Sequence, residues 1–535
     1  MYNNKNHIFA ELKSPNIMQH LPIGIQNFEK LRNNNLKYVD KTAILYNLVT
    51  SGCYYFLSRP RRFGKSLFLS TLEAYFQGKK ELFQGLAIEQ LEKDWIEYPI
   101  LHLDLNTEKY ATLDALLDVL NEILIDWEKE YGVNEAEKAL GRRFQGVIRR
   151  AYEKTGKQVV ILVDEYDKPL LQAIGNSELQ DAYRATLKSF YGALKSCDQY
   201  IRFAFLTGVT KFSKVSIFSD LNNLVDISMM ATYYNICGIT EEELHTQLHE
   251  HIEQLALYLE ESTENVYAQL KERYDGYRFT KEERRRNEVI QGIYNPFSLL
   301  NAIQYNALES YWFETGTPTY LVELLKRYDY NLANLEKEEV TADELQGVEA
   351  SNPIPVIYQS GYLTIKGYEP EFGVYKLGFP NREVKEGFIR FLVPYYTSKN
   401  DSTSFDIRNF VLALRRGNIE DFMLRLQTFL SACPYEIQAE QERHFQSMMF
   451  ILSSLCGFYT ELEKHTNKGR MDMTIKTDQY IYIFEFKFNA TAEIALQQIY
   501  DKGYTEPYKM DSRQIVCVGV NYSSESRNID KWIVE

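Results

Sequence analysis

Val159-Val-Ile-Leu-Val163, followed by Asp164 and Glu165, is the stretch that most narrows the fold. An uninterrupted apolar, mostly β-branched run fits a strand buried on both faces, and such strands belong to parallel sheets covered by helices on each side. Parallel neighbours need crossover helices, so the run predicts an α/β domain. The acids that end it have the Walker B form. Asp164 would join the Mg2+ shell of a bound nucleotide, and Glu165 could orient or activate an attacking water. The alternative is a buried strand capped by solvated acids.

Upstream lies Ser58-Arg-Pro-Arg-Arg-Phe-Gly-Lys-Ser66. It ends as a phosphate-binding P-loop does, but Arg59 stands where the opening glycine belongs. The apolar run Cys53–Ser58 before it reads as a strand. After it, Leu67, Leu69, Leu72, Tyr75 and Phe76 approximate helical spacing. Strand, loop and helix are the setting a phosphate site needs, because the helix N-terminus offers free N–H groups and a positive dipole end. The expected nucleotide contacts are Arg61, Arg62, Phe63, Gly64, Lys65 and Ser66, with Asp164. Lys65 would reach the β- and γ-phosphates, and the Ser66 hydroxyl would hold Mg2+. Taken alone, the loop could also be a basic strand-to-helix turn. A Walker B strand in the same chain favours the nucleotide.

Ile201–Gly208 repeats the buried-strand pattern, and Thr207 is the candidate sensor of the terminal phosphate; an ordinary turn after a strand is the alternative. Thr210, Lys211 and Lys214 could contact phosphate or be solvated. Thr240-Glu-Glu-Glu243 is a capping box and predicts a helix from Glu241. On it His245 and His249 are four apart, with His251 close by. No metalloprotease glutamate follows His245, so a wet helical face is favoured over zinc. Residues 281–286 carry both charge signs and read as solvated. Residues 336–349 read as a boundary, and "PVIYQSGYLTIKGYE" and "VYKLGFPN" as strands and turns of a connector.

Near the C-terminus, "MDMTI" and "YIYIFEFKF" alternate as two strands joined by the polar turn "KTDQ". Glu485 and Lys487 are two apart and share a sheet face, and Asp472 on the neighbouring strand can converge on it. Two carboxylates and a lysine suit metal-assisted phosphodiester hydrolysis: Asp472 and Glu485 hold Mg2+, while Lys487 acts on the water and the developing charge. Glu442 in the helix upstream could add a ligand. An exposed strand pair of alternating charge is the alternative, though charge on an otherwise apolar strand is costly unless paired or metal-bound.

With 535 residues the chain is too long for one core. Cysteines 53, 197, 237, 433, 456 and 517 show no metal or disulfide spacing and read as reduced thiols. No signal pattern or membrane span is evident, so a cytoplasmic location is expected. A net charge of −14 excludes wholesale coating of nucleic acid but not a local basic groove.

Together with "LPIGIQNFEKLRNNNLKYVDKT", "FLTGVTKFSKVSIFSDLNNLVDIS", "YDGYRF", "YNPFSLL" and "TGTP", these motifs give a chain that resembles, over nearly its whole length, the bacterial AAA-ATPase-like family with a C-terminal PD-(D/E)XK nuclease-like domain. The resemblance implies a P-loop NTPase domain with a parallel sheet (1–235), a helical lid (236–335), a connector (336–400) and an α/β restriction-endonuclease-like domain (401–535). It makes the arginine-rich P-loop the family's own version, with Arg61 and Arg62 supplying fixed positive charge. It suggests that Asp40 and Lys41 of "YVDKT" lie near the nucleotide. Arg278 of "YDGYRF" is the candidate lid arginine, or else a structural arginine among Tyr274, Tyr277 and Phe279. Gln498 and Tyr504 match the "QI…Y" signature of the nuclease-like domain, which adds Gln498 to the catalytic candidates. The function implied is an ATP- and Mg2+-dependent ATPase coupled to a nuclease on DNA or RNA, in a defence or mobile-element setting. A homo-oligomer is possible, with Arg61, Arg62 or Arg184 as a finger toward a neighbouring subunit. The alternative is a nucleotide-regulated switch that binds nucleic acid or protein without cutting.

Overall fold

A computed structural model describes residues 18–211, 223–285, 288–313, 321, 324–325, 328, 330–346, 352–396, 403–431, 441–457, 460–467 and 470–535. The first sheet is parallel throughout: β1 (Tyr54–Ser58), β2 (Ile100–Asp104), β3 (Val159–Asp164), β4 (Ile201–Gly208) and the short β5 (Val225–Asp226), in the order β2-β3-β4-β1-β5. Every residue of β3 is buried, as its unbroken apolar run requires. Its side chains divide between two cores. Val159, Ile161 and Val163 join Leu101 and Leu103 on one face. Val160 and Leu162 join Tyr55, Leu57, Phe203 and Phe205 on the other, under helix α1 (Lys65–Phe76). The turns after β1, β3 and β4 therefore open at one edge of the sheet, the carboxyl edge where ligands bind in such folds.

Residues 241–305 are largely helical: Glu241–Gln247, His249–Leu259, Thr263–Tyr274 and α2 (Pro296–Tyr305). The first begins at the expected capping box, with the Thr240 hydroxyl accepting from Glu243 N and the Glu243 carboxylate accepting from Thr240 N. Residues 354–359, expected to be extended, are helical instead. The Asn352 side chain accepts from Ile354 N, and Ile354, Val356 and Ile357 are buried together, so burial overrides the β-branched composition. A small antiparallel sheet follows, β6 (Glu339–Thr341), β7 (Thr364–Glu369) and β8 (Val374–Gly378), in the order β6-β8-β7.

After helices α3 (Arg382–Tyr396), Thr403–Arg415, Ile419–Ser431 and α4 (Gln441–Gly457) comes a mixed sheet: β9 (Glu461–Asn467), β10 (Arg470–Lys476), β11 (Tyr480–Phe488), β12 (Gln514–Ser523) and β13 (Asn528–Val534), in chain order. β10 and β11 are the expected hairpin; β11 and β12 are parallel, joined through α5 (Ala492–Asp501). One face, with Phe486 and Tyr522, packs on Phe445 of α4. The other packs Ile481, Ile483 and Cys517 under Leu496 and Ile499 of α5. None of the described helices is long and apolar enough to cross a membrane.

Gly519 of β12 lets α5 lie directly on the sheet. A Cβ there would stand 2.4 Å from the Ala492 carbonyl oxygen and 2.5 Å from Leu496 N. Gly519→Ala should therefore push the helix away and destabilise this part of the chain by about 1–3 kcal/mol. A urea titration followed by circular dichroism would read the loss as a lower midpoint; an unchanged midpoint would refute the close-packing argument.

Candidate nucleotide and nuclease sites

The chain leaves β1 through a turn that two left-handed residues close, Arg62 (φ +70°) and Gly64 (φ +91°). The second is where α1 begins, and glycine takes that conformation without strain. No described side chain caps the first N–H groups of α1, which leaves them for an anion. Lys65 is buried, and its Nζ donates to the carbonyls of Arg59 (3.1 Å) and Pro60 (3.3 Å), folding it back over its own loop. The same Nζ lies 3.9 Å from the Glu165 carboxylate. Next to it, Ser66 Oγ donates to Asp164 Oδ2 at 2.5 Å, and Thr207 Oγ1 donates to Asp164 Oδ1. Carboxylate and hydroxyl oxygens side by side are a hard donor set of the kind Mg2+ takes, so these residues fit the ion.

Arg59 faces away from this loop. Its buried guanidinium donates to the carbonyls of Ser58 (2.9 Å), Ser228 (2.7 Å) and Tyr233 (3.2 Å) and lies 4.2 Å above the Phe279 ring. Burial pushes its pKa down to about 10, which leaves it charged at neutral pH. A glycine at this position could satisfy none of these groups. Arg59 is a strut between the turn and the segment after β5.

The loop borders a cleft of about 390 Å³ that Arg61, Arg62, Lys65, Ser66, Glu165 and Lys168 line together. Phe297 and Asn301 of α2, Trp312 and residues 22–26 close its other sides. Arg62 stacks 4.6 Å over Phe297, and Trp312 Nε1 donates to the Arg61 carbonyl at 3.4 Å. A smaller apolar slot, about 80 Å³, adjoins the cleft; Tyr38, Val39, Lys41, Phe63 and Cys237 line it, and Pro22, Gly64 and Leu67 border both spaces. Glu165 has a left-handed backbone (φ +52°), uncommon for a residue with a side chain and typical of functional sites. Burial pushes its carboxyl pKa up, against the pull of Lys65. Asp167 is wholly buried and accepts from Val209 N, Thr210 N and the Thr210 hydroxyl, locking the turn after β3 to the end of β4.

Other described candidates do not line the cleft itself. Phe63 is core, packed edge-on against Tyr277 (4.7 Å) and Phe279 (5.4 Å), and reaches only the apolar slot. Arg278 does not line the cleft: its guanidinium donates to the carbonyls of Thr280 (3.2 Å) and Glu282 (3.0 Å). Asp40 ties Thr42 and Ala87 N, while Lys41 pairs with Glu243 at 2.6 Å. Lys211 pairs with Asp226, and Arg184 with Asp181 at 2.7 Å. Lys214 lies outside the described residues. His245 stacks on Tyr267 and His249 meets the Tyr267 hydroxyl at 2.9 Å, both on a half-exposed face, while His251 is buried and meets the Gln19 carbonyl at 2.8 Å. The cleft residues that the sequence reading does not single out include Asn106 after β2 and Lys168. Lys168 was visible as the cation closing "DEYDK", three residues beyond Glu165.

On β11, Glu485 is fully buried, and its carboxylate accepts from Lys487 Nζ and Gln498 Nε2. Lys487 Nζ also donates to Gln498 Oε1 at 2.7 Å. The strand thus brings Glu485 and Lys487 to one face, and α5 lowers Gln498 onto them. Asp472 is paired with Glu485 in the β10–β11 register. The side chains of Asp472 and Glu442 lie outside the described residues. Among the described residues no group of three or more His, Cys, Asp or Glu gathers to hold a metal. The donor set that would fit one is Glu485 with the strand position of Asp472 opposite it.

A parallel sheet of this order with a P-loop after β1 and paired acids after β3, followed by a mixed sheet bearing Glu-X-Lys, defines a two-part P-loop and nuclease-fold protein. Residues 22–218 match the family described as "Predicted AAA-ATPase", and residues 440–532 match the PD-(D/E)XK nuclease superfamily. The chain is 35% identical over 529 residues to an "Uncharacterized protein in vnfD 5'region" of Azotobacter chroococcum mcd 1, covering 96% of this chain and 98% of that one. The chain belongs to the AAA-ATPase-like family whose members carry a C-terminal PD-(D/E)XK nuclease-superfamily domain.

The strut role of Arg59 is open to a direct test. Arg59→Gly, which restores the commoner P-loop residue, should destabilise the chain by about 3 kcal/mol or more, because several buried carbonyls lose their donor. Thermal unfolding of the two proteins side by side would show it; equal stability would refute the role.

Proposed function

We propose that the first part of the chain hydrolyses ATP and that the C-terminal part is a metal-dependent nuclease on DNA or RNA under its control. The observation that carries the reading is the Asp164 carboxylate, joined by Ser66 and Thr207 beside the Lys65–Glu165 pair. In this reading the triphosphate lies along the α1 N-terminus, with Lys65, Arg61 and Arg62 on its oxygens. The base enters the apolar slot beside Tyr38 and Phe63. Glu165 orients the attacking water and takes its proton, and Thr207 reports on Asp164. Mg2+ would be held by Ser66 and Asp164 at the first site and by Asp472 and Glu485 at the second, and in both it neutralises charge on phosphate oxygens. At the second site Lys487 would act on the water and the developing charge, with Gln498 orienting Lys487. Residues 1–235, 236–335, 336–400 and 401–535 serve in this reading as ATPase, lid, connector and nuclease. Arg278 has no part in it, since its guanidinium is engaged with backbone carbonyls.

A second reading, a switch that binds nucleic acid or protein without cutting, is favoured by the way Lys487 and Gln498 already engage Glu485. Both hydrogen bonds fall on one carboxylate oxygen, Oε1.

Lys65→Ala should abolish hydrolysis and greatly weaken nucleotide binding, while Glu165→Gln should bind normally and hydrolyse slowly. Phosphate release and isothermal titration would read both, and normal turnover of the Lys65 variant would end the ATPase reading. The pH profile adds a check. Only the ionised Glu165 can take a proton, and burial raises its pKa above the usual 4.5. Turnover should therefore fall with acid at a higher pH than an exposed glutamate would give, and Glu165→Gln should flatten that limb.

For the second site, Asp472→Ala and Glu485→Ala should each lose Mn2+ binding and cleavage together. Lys487→Ala should keep the metal and lose the cutting, because a group that acts on the water is not needed to hold the ion. Titration with Mn2+ and gel assays on single- and double-stranded DNA and RNA would decide. A wild-type chain that binds nucleic acid in an ATP-dependent way and never cuts would establish the switch.

A further inference from the structure

Among the described residues that line the cleft beside the P-loop, one cation has no part in the nucleotide reading. Lys168 lines the cleft together with Arg61, Lys65 and Glu165. Its backbone is fixed from both sides: Asp167 before it is locked into the end of β4, and Pro169 follows it. Its side chain is aimed by Asn106, whose carbonyl and side-chain oxygens each accept from Lys168 Nζ at 2.9 Å. Asn106 lines the same cleft, and its own N–H is anchored on Asp104 Oδ1 at 2.7 Å. An ammonium has three donors, so one remains beyond the two that Asn106 takes.

Charge in the cleft points the same way. Among the described residues, neither Lys168 nor Arg61 has a carboxylate within salt-bridge distance. Burial shifts the Lys168 pKa down, against the pull of Glu165 and Asp104 and with Arg61 adding to the shift. Four cations, Arg61, Arg62, Lys65 and Lys168, share the cleft with the Glu165 carboxylate, and such a set is stabilised when a polyanion lies between its members. Arg184, by contrast, is paired with Asp181 and outside the cleft.

We propose that Lys168, aimed by Asn106, is a catalytic residue that neutralises the terminal phosphoryl group from within the same chain, so that hydrolysis needs no arginine from a second copy. The inference rests on the ATPase reading above. In the step it serves, a water oxygen bonds to the terminal phosphorus and its proton passes to Glu165. The P–O bond to the bridging oxygen breaks, and its electron pair leaves with the nucleoside diphosphate. The negative charge spread over the transferring group is what the Lys168 ammonium meets; Asn106 is its positioning residue.

The test compares wild type, Lys168→Ala, Lys168→Arg and Asn106→Ala as full chains. Lys168→Ala should lower kcat by roughly 100-fold or more with KM changed by no more than about 3-fold, as loss of a transition-state cation does. Its affinity for ADP with aluminium fluoride should fall while its affinity for ATPγS stays near wild type. Lys168→Arg should recover part of kcat, and Asn106→Ala should lose part of it. Mixing Lys168→Ala with Glu165→Gln separates cis from trans action: the mixture should stay as slow as its components. Restored turnover in the mixture, or unchanged kcat in Lys168→Ala, would overturn the proposal. Should Lys168→Ala not fold, Lys168→Arg and Asn106→Ala decide, since unchanged kcat and unchanged aluminium fluoride affinity in both would equally overturn it. A wild type without Lys65-dependent hydrolysis would instead overturn the ATPase reading itself.

Discussion

The Asp164 carboxylate takes a hydroxyl hydrogen bond from each of two elements far apart in the chain, Ser66 at the start of α1 and Thr207 near the end of β4. A buried carboxylate is costly unless its oxygens are satisfied, so this arrangement holds only if β1, β3 and β4 end at one level. The parallel register provides that: Leu57 pairs with Thr207, and Val163 with Leu206. Asp167 makes a second tie of the same kind, one turn on, between the Glu165–Asp167 segment and Val209–Thr210. With both ties in place, Glu165 is left in a left-handed backbone facing Lys65. Its raised pKa follows from that position, because burial acts on it more strongly than the neighbouring ammonium does.

The elements legible in the sequence were those whose signal is local. The apolar run of β3, the capping box at Thr240 and the alternation of β10 and β11 each record one element's own surroundings, and each forms as read. Residues 354–359 show that apolar, β-branched residues also suit a buried helix, a choice their own composition does not make. Long-range placement was hidden. Nothing near Arg59 tells that its partners are Ser228, Tyr233 and Phe279. Arg278 looked equally able to reach a phosphate, and its guanidinium instead closes its own turn. Lys168 was within three residues of a recognised acid, yet its relevance depends on Asn106, which enters from β2.

The C-terminal site depends on spacing of another kind. Alternation along β11 puts Glu485 and Lys487 on the face that α5 covers, but contact with Gln498 needs the helix close to the strands. Gly519 on the neighbouring strand grants that closeness, since any Cβ would meet the α5 backbone. The "QI…Y" pattern and Gly519 are therefore two parts of one packing requirement, and only the first could be read without the fold.

The two sites are also joined by packing. Trp312, whose indole holds the Arg61 carbonyl, has its own N–H on the buried carboxylate of Glu383 at 3.0 Å, and Tyr311 N meets the same oxygen at 2.6 Å. Glu383 opens α3, where Gly387 leaves room for Phe313: a Cβ there would stand 2.1 Å from its ring. Apolar side chains of α3 and α4 share one continuous core with α1 and with Phe484 and Phe486 of the C-terminal sheet. Burial raises the Glu383 pKa, which makes its backbone N–H partners all the more necessary when it is ionised. A displacement of Trp312 at the cleft would take one donor from that buried carboxylate, and this cost couples residues 311–312 to the start of α3.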